Sequence, residues 1–133
     1  ALTTVVVPND LHQLREPEAR IMAELRRCGY DDDTIFAIKL AFEEAATNAV
    51  KHGNGNDRSK KVHLRYYVDP DRIVFMVRDE GCGFRPADVP DPTADENLER
   101  PCGRGLMLMQ SYMTKVRYSE TGNEVWLLKE RRP

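Results

Sequence analysis

Two periodicities divide the chain. Val62, Leu64, Tyr66 and Val68 alternate with His63, Arg65 and Tyr67, the two-residue period of a strand with one buried face. Asp69-Pro70-Asp71 then reads as a turn, and Arg72 to Arg78 as the hairpin partner. Upstream, a helical period takes over. Leu11, Leu14, Ile21, Met22 and Leu25 recur at helical spacing up to Cys28, with Gly29 placed to close the helix. Pro17 is incompatible with a straight helix interior, so the helix either kinks there or begins near it, leaving Asp10 to Glu16 as a separate turn. Asp31-Asp32-Asp33 sets acid before an apolar-periodic run from Ile35 to Val50, a favourable start for a second helix, and Gly53-Asn54-Gly55-Asn56-Asp57 ends it in a loop. Leu2 to Val7 predicts a leading strand. Lys115 to Ser119 and Glu124 to Lys129 predict a last hairpin around Thr121-Gly122-Asn123, after a short helix from Leu106 to Met113. Between these elements, Arg85 to Pro101 is polar and carries Pro86, Pro90, Pro92 and Pro101, the profile of a functional lid or a disordered loop. The order predicts an α+β domain with a sheet of about five strands and helices on one face.

Length and charge narrow the classes. At 133 residues, one domain accounts for the chain, and about two-thirds of its unfolded surface can be buried without disulfide or metal staples. A net charge of -2 argues against a dedicated nucleic-acid module, while leaving room for a locally basic phosphate pocket. The longest apolar runs, Ile73 to Val77 and Val125 to Leu128, are strand-sized, so no membrane span is expected. Ala1 to Pro8 has no basic segment followed by an apolar stretch, and nothing there reads as a secretory signal. Cys28, Cys82 and Cys102 are odd in number and form no CxxC pair, which disfavours a disulfide framework or zinc site. A cytoplasmic location is the expectation.

Three segments carry candidate chemistry. Glu44 and Asn48 lie four residues apart on the second helix and share one polar face, while Ile35, Ile38, Phe42, Ala45 and Ala49 supply its buried stripe. Asp79-Glu80-Gly81-Cys82-Gly83 directly follows a predicted strand. Gly103-Arg104-Gly105-Leu106 follows the long loop and opens a predicted helix, where backbone N–H groups and the positive dipole end suit phosphate oxygens. A carboxylate and an amide on a neighbouring helix suit a Mg²⁺ that bridges phosphates. Each motif alone is common; their order and context are specific.

That combination resembles the GHKL ATPases, the superfamily of gyrase, heat-shock chaperone, histidine kinase and mismatch-repair types. Glu44-Ala-Ala-Thr-Asn48-Ala-Val-Lys-His52-Gly53 looks like their N box, Asp79-Glu-Gly81-Cys-Gly83-Phe84 their G1 box, and Gly103-Arg-Gly105-Leu106 their G2 box. The Ala-Thr-Asn-Ala core and the following His-Gly are most similar to bacterial anti-sigma factor serine/threonine kinases. The resemblance implies a two-layer sandwich of the Bergerat type: a mixed sheet of about five strands, helices on one face, and a nucleotide lid at about residues 85–102. It implies ATP and Mg²⁺ as cofactors. Asp79 would accept from the adenine amino group, with Gly81 and Gly83 allowing the backbone close to the base. Asn48 would hold Mg²⁺, Gly103, Gly105 and Leu106 would line the phosphates, and Glu44 would orient or deprotonate the attacking hydroxyl. The implied partners are an antagonist protein and a sigma factor, with no nucleic acid and no membrane, and with room for a homodimer. Where relatives carry Gly-Thr at the opening of the last strand, this chain has Thr121-Gly122-Asn123-Glu124, so Thr121 or Asn123 would have to serve there.

Plainer readings stand beside several residues. Glu43 sits four residues after Lys39, as in a surface ion pair; His52 suits the helix C-terminus more than a phosphate. Arg100 and Arg104 bracket the second glycine motif and either pair with phosphate or stay solvated. Cys82 and Cys102 flank the lid, and spacing alone does not bring them together. Leu106, Met107, Met109 and Met113 read as core, and so does Trp126. Two further functions compete with the kinase: a non-catalytic ATP-dependent binding module, and a switch kinase of a stress pathway. A histidine kinase would need a helical hairpin bearing its acceptor, for which this length leaves no room. The carboxylate at Glu44 favours transfer over mere binding.

Overall fold

Five strands form one sheet: β1 (Thr3–Pro8), β2 (Lys61–Val68), β3 (Arg72–Arg78), β4 (Lys115–Tyr118) and β5 (Glu124–Glu130), in the order β1-β2-β3-β5-β4. The structure, a computed structural model, describes residues 2–81, 113–119 and 123–131. Two helices, α1 (Arg15–Arg27) and α2 (Asp32–Thr47), join β1 to β2. The expected mixed sheet is antiparallel in every described pairing. The cause is the connections. A short turn joins β2 to β3, and two successive helices, unlike a single crossover helix, return the chain to the end of the sheet it left.

Local chemistry sets the element ends. Asp10 accepts a hydrogen bond from the His12 N–H at 2.9 Å and opens a 3-10 turn, Leu11–Leu14. Pro17 then falls in the first turn of α1, where no intrahelical N–H is needed, so the helix begins near the proline and runs unbroken. Gly29, at φ +85°, ends it in the left-handed region that favours glycine, and the Tyr30 N–H closes on the Leu25 carbonyl at 3.1 Å. Asp31 caps α2 by accepting from the Thr34 N–H at 2.7 Å, with Asp32 and Asp33 complementing the dipole in the first turn.

The core lies between the helices and one sheet face. Ile21, Met22 and Leu25 of α1, and Ile35, Ile38, Phe42 and Ala45 of α2, are buried with Val62, Leu64, Ile73, Phe75, Val77 and Leu127 of the sheet. Phe42 and Phe75 anchor the layers, their rings 5.8 Å apart and tilted by 53°. Each such ring contributes about 2–3 kcal/mol by leaving water. Met113 joins this core, as expected; Leu106, Met107 and Met109 lie outside the described residues. Trp126 faces the opposite side of the sheet, half-buried, with its Nε1 donating to Glu124 and the Arg65 guanidinium 6.0 Å from its ring. One long-range clamp closes the helical layer. Arg131 donates to the carbonyls of Cys28 and Pro70, both at 3.0 Å, and of Gly29, and it stacks 5.0 Å from the Tyr30 ring.

Candidate functional site

The second helix does not run to Val50 as regular α-helix. After Thr47 it widens into a π-helical segment, Asn48–Gly53, in which the Asn54 N–H reaches back five residues to the Ala49 carbonyl at 2.8 Å. Such widened turns recur at functional sites because the extra residue re-aims the side chains that follow. Glu44 stands on the last α-helical turn and Asn48 opens the wide one, both half-buried. Four residues apart, they share a face as predicted. His52, exposed, lies in the last turn of the segment, the helix end its plainer reading assigned it.

Asp79 lies one residue beyond β3 and is 9% exposed. Its N–H donates to the Asn123 carbonyl at 2.9 Å, extending the β3–β5 ladder by one step, and its Oδ1 accepts from the Gly81 N–H at 2.8 Å. Among the described residues no donor reaches Oδ2. Burial pushes the Asp79 carboxyl up from its ordinary value, against the opposing pull of the Gly81 N–H and the Lys60 charge. A buried acid with an oxygen that no described donor takes suits a ligand that brings an N–H donor of its own, as the adenine amino group does. Within the departure at Thr121 to Glu124, the Asn123 backbone carbonyl accepts from the Asp79 N–H, while Thr121 lies outside the described residues.

A buried amide network holds this corner. Asn54, 2% exposed, donates through Nδ2 to Asn9 Oδ1 at 2.9 Å and to the Lys61 carbonyl at 3.0 Å, and its Oδ1 accepts from the Glu80 N–H at 2.7 Å. Asn9 in turn donates to the Asp57 carbonyl at 3.0 Å. Glu80 takes the Lys61 N–H at 3.1 Å and meets His63 Nε2 at 2.7 Å, a contact that holds its carboxyl below the usual range. Two side chains from separate elements thus bind the residue next to Asp79 from both sides. Nothing in the sequence pairs Asn9 with Asn54, which are 45 residues apart; Asn54 reads there only as loop punctuation.

The anticipated Lys39–Glu43 ion pair does not form. The packing of α1 on α2 brings Glu43 near Glu18; burial, with this neighbouring carboxyl, raises Glu18 to about 7. No group of three or more His, Cys, Asp or Glu able to hold a metal occurs among the described residues. Asn48, half-buried on the face it shares with Glu44, has an amide oxygen of the hard type that Mg²⁺ takes, and Mg²⁺ commonly fills the rest of its shell with waters and phosphates. Gly83, Arg100, Gly103, Arg104, Gly105 and Leu106, the lid, and Cys82 and Cys102 lie outside the described residues. No helix among the described residues is long and apolar enough to cross a membrane.

Helices on one face of an antiparallel sheet, a carboxylate and an amide on the inner helix, and a buried acid at a strand end define the nucleotide-binding sandwich that the motifs resemble. The family model described as the histidine kinase-like ATPase domain matches residues 7–129, and the chain belongs to that family. Among its relatives is the serine-protein kinase RsbW of Bacillus subtilis, 38% identical over 99 residues that cover 68% of this chain and 61% of that protein. Another is the anti-sigma F factor of Oceanobacillus iheyensis, 32% identical over 104 residues covering 74% of this chain and 70% of that protein. The crystal structure of the RsbU and RsbW domains of a Mycobacterium tuberculosis protein superposes with a TM-score of 0.63 at 17% identity, over 97% of this chain and 31% of that one, and shares the fold. The matched region thus spans about three-fifths of the RsbW protein.

Proposed function

We propose that the chain binds Mg-ATP and transfers the γ-phosphoryl group to a serine of a small antagonist protein, and that it holds a sigma factor once that antagonist is phosphorylated. The observation that carries this reading is Glu44 on the last turn of α2, four residues before Asn48, in a chain whose relatives are named serine-protein kinase and anti-sigma F factor. Bound Mg²⁺ supplies charge neutralisation to the phosphates, and Asn48 is its protein ligand. Asp79 Oδ2 accepts from the adenine amino group. Glu44 takes the proton from the incoming serine hydroxyl as that oxygen forms its bond to phosphorus and the bond from phosphorus to the β,γ-bridging oxygen breaks, releasing ADP. Gly83 belongs with Gly81 beside the base; Gly103, Gly105, Leu106, Arg100 and Arg104 are assigned to the phosphates. A protein that only bound nucleotide would have no use for a carboxylate at Glu44.

Incubation with γ-labelled ATP and a cognate antagonist protein tests the proposal. The expected product is acid-stable, alkali-labile phosphoserine on the antagonist. Acid-labile label on this chain would establish a histidine kinase instead, and retained ATP binding with no labelled partner would leave a binding module.

A further inference from the structure

Gly53 ends the π-helical segment, and its backbone does not demand glycine. Among the described residues, the positive-φ positions are Gly29, Gly55 and Asn56, and Gly53 is not one of them. An alanine in ordinary helical backbone would normally stabilise the chain by restricting its unfolded state. The obstacle is elsewhere. A Cβ on Gly53 would lie 2.0 Å from Asp79 Oδ2 and 2.3 Å from its Cγ, inside any tolerable contact. The clasp is mutual, because a Cβ on Gly81 would lie 1.8 Å from the Gly53 carbonyl oxygen. Gly81 therefore owes its lack of a side chain to this contact, before any ligand is considered. The Asp79 carboxylate cannot simply swing aside, since Oδ1 is tied to the Gly81 N–H and the next residue's N–H is tied to Asn54.

We propose that Gly53 is a positioning residue for nucleotide recognition: its bare Cα is the wall against which the Asp79 carboxylate is seated, and it couples that base-reading acid to the segment opened by Asn48. The proposal rests on the reading of Asp79 as the adenine acceptor. A displaced carboxylate loses the amino group while Glu44, a full helical stretch away, keeps its place. The effect therefore falls on ATP affinity and base choice, not on the transfer step.

The test uses Gly53→Ala, Asp79→Ala and the double variant of the full chain, with affinities for Mg-ATP and Mg-GTP from calorimetry and melting temperatures without nucleotide. Gly53→Ala should weaken ATP at least about tenfold, the value of one charge-assisted hydrogen bond, and shrink the preference for ATP over GTP, with kcat at saturating ATP within about twofold of the parent. It should lower the melting temperature of the parent, yet raise or leave unchanged that of Asp79→Ala, where the obstructing carboxylate is gone. Should Gly53→Ala fail to fold, folding of the double variant carries the same conclusion. Parental ATP affinity and base preference in Gly53→Ala would overturn the proposal, as would an equal loss of stability in both backgrounds. If Asp79→Ala itself kept both ATP affinity and base preference, the adenine reading would fall and the recognition role with it. The stability cycle would then still report whether Gly53 and Asp79 touch, which separates the two failures.

Discussion

Replacing Asn54 by alanine removes three hydrogen bonds from a site 2% exposed. The Glu80 N–H, formerly 2.7 Å from Asn54 Oδ1, loses its acceptor, and Asn9 Oδ1 and the Lys61 carbonyl each lose a donor. An orphaned buried N–H costs about 1–3 kcal/mol, and each neutral bond lost at an oxygen about 0.5–1.5 kcal/mol. With water reaching the part-buried groups, the sum is about 3 kcal/mol, or a fall of about 10 °C in melting temperature for a chain of this length. Asn54→Asp sharpens the test. One oxygen still serves Glu80, but the other replaces an amide donor and faces two acceptors. The new carboxyl is then held above its unfolded value of about 3.9, because only its protonated form can donate. The native state binds the extra proton, so stability is greatest below that unfolded value and is lost as pH rises toward the native one. Urea melts at pH 5 and pH 8 should show Asn54→Asp already weaker than the parent at the lower pH, where a single O–H at best replaces two amide donors, and weaker still at the higher, with Asn54→Ala equally weak at both, each relative to the parent. An alanine variant within about 0.5 kcal/mol of the parent would refute the account of the network.

Other outcomes follow from the same geometry. Asp79→Asn should remove most ATP affinity and the preference over GTP, since an amide can present a donor to the adenine amino group; calorimetry with both nucleotides decides it. Asn48→Ala should weaken Mg-dependent ATP binding, whereas Glu44→Ala should spare binding and cut turnover by about 10²–10⁴-fold, and equal binding losses in the two would count against the division of roles. Glu18, raised to about 7 by burial and by Glu43, holds its proton in the native state, so its contribution to stability is lost as pH rises from about 4.5 to 7. Glu18→Gln should flatten that slope in melts across the window, and an unchanged slope would remove Glu18 as its source.

The elements whose causes are local could be read directly. Asp31 to Asp33 as the acidic start of a helix, Pro17 near a helix start, and the alternation of Val62, Leu64 and Tyr66 each act within a few residues, and the structure carries all of them. Glu44 and Asn48 were legible for the same reason, being one turn apart. What stayed hidden depends on residues brought together across the fold. Apolar periodicity cannot signal the π-helical widening after Thr47, because one added residue barely alters which positions are buried. Glu43 beside Glu18, Asn9 beside Asn54 and Gly53 beneath Asp79 are meetings set by how layers stack. The direction of strand pairing likewise follows from counting helices in a connection, and a motif match does not supply that count.

Arg131 also bears on the order in which the molecule assembles. It bonds to backbone 103, 102 and 61 residues away, at Cys28, Gly29 and Pro70, so its clamp spans far more chain than the hairpin of β2 and β3. Closing so long a loop costs conformational entropy before any bond rewards it, and such contacts belong late on a folding route. During synthesis, α1, α2 and the β2–β3 hairpin can emerge and pair while Arg131 is still unmade. Its removal should leave the folding rate nearly untouched and hasten unfolding, the signature of a latch that closes after the transition state.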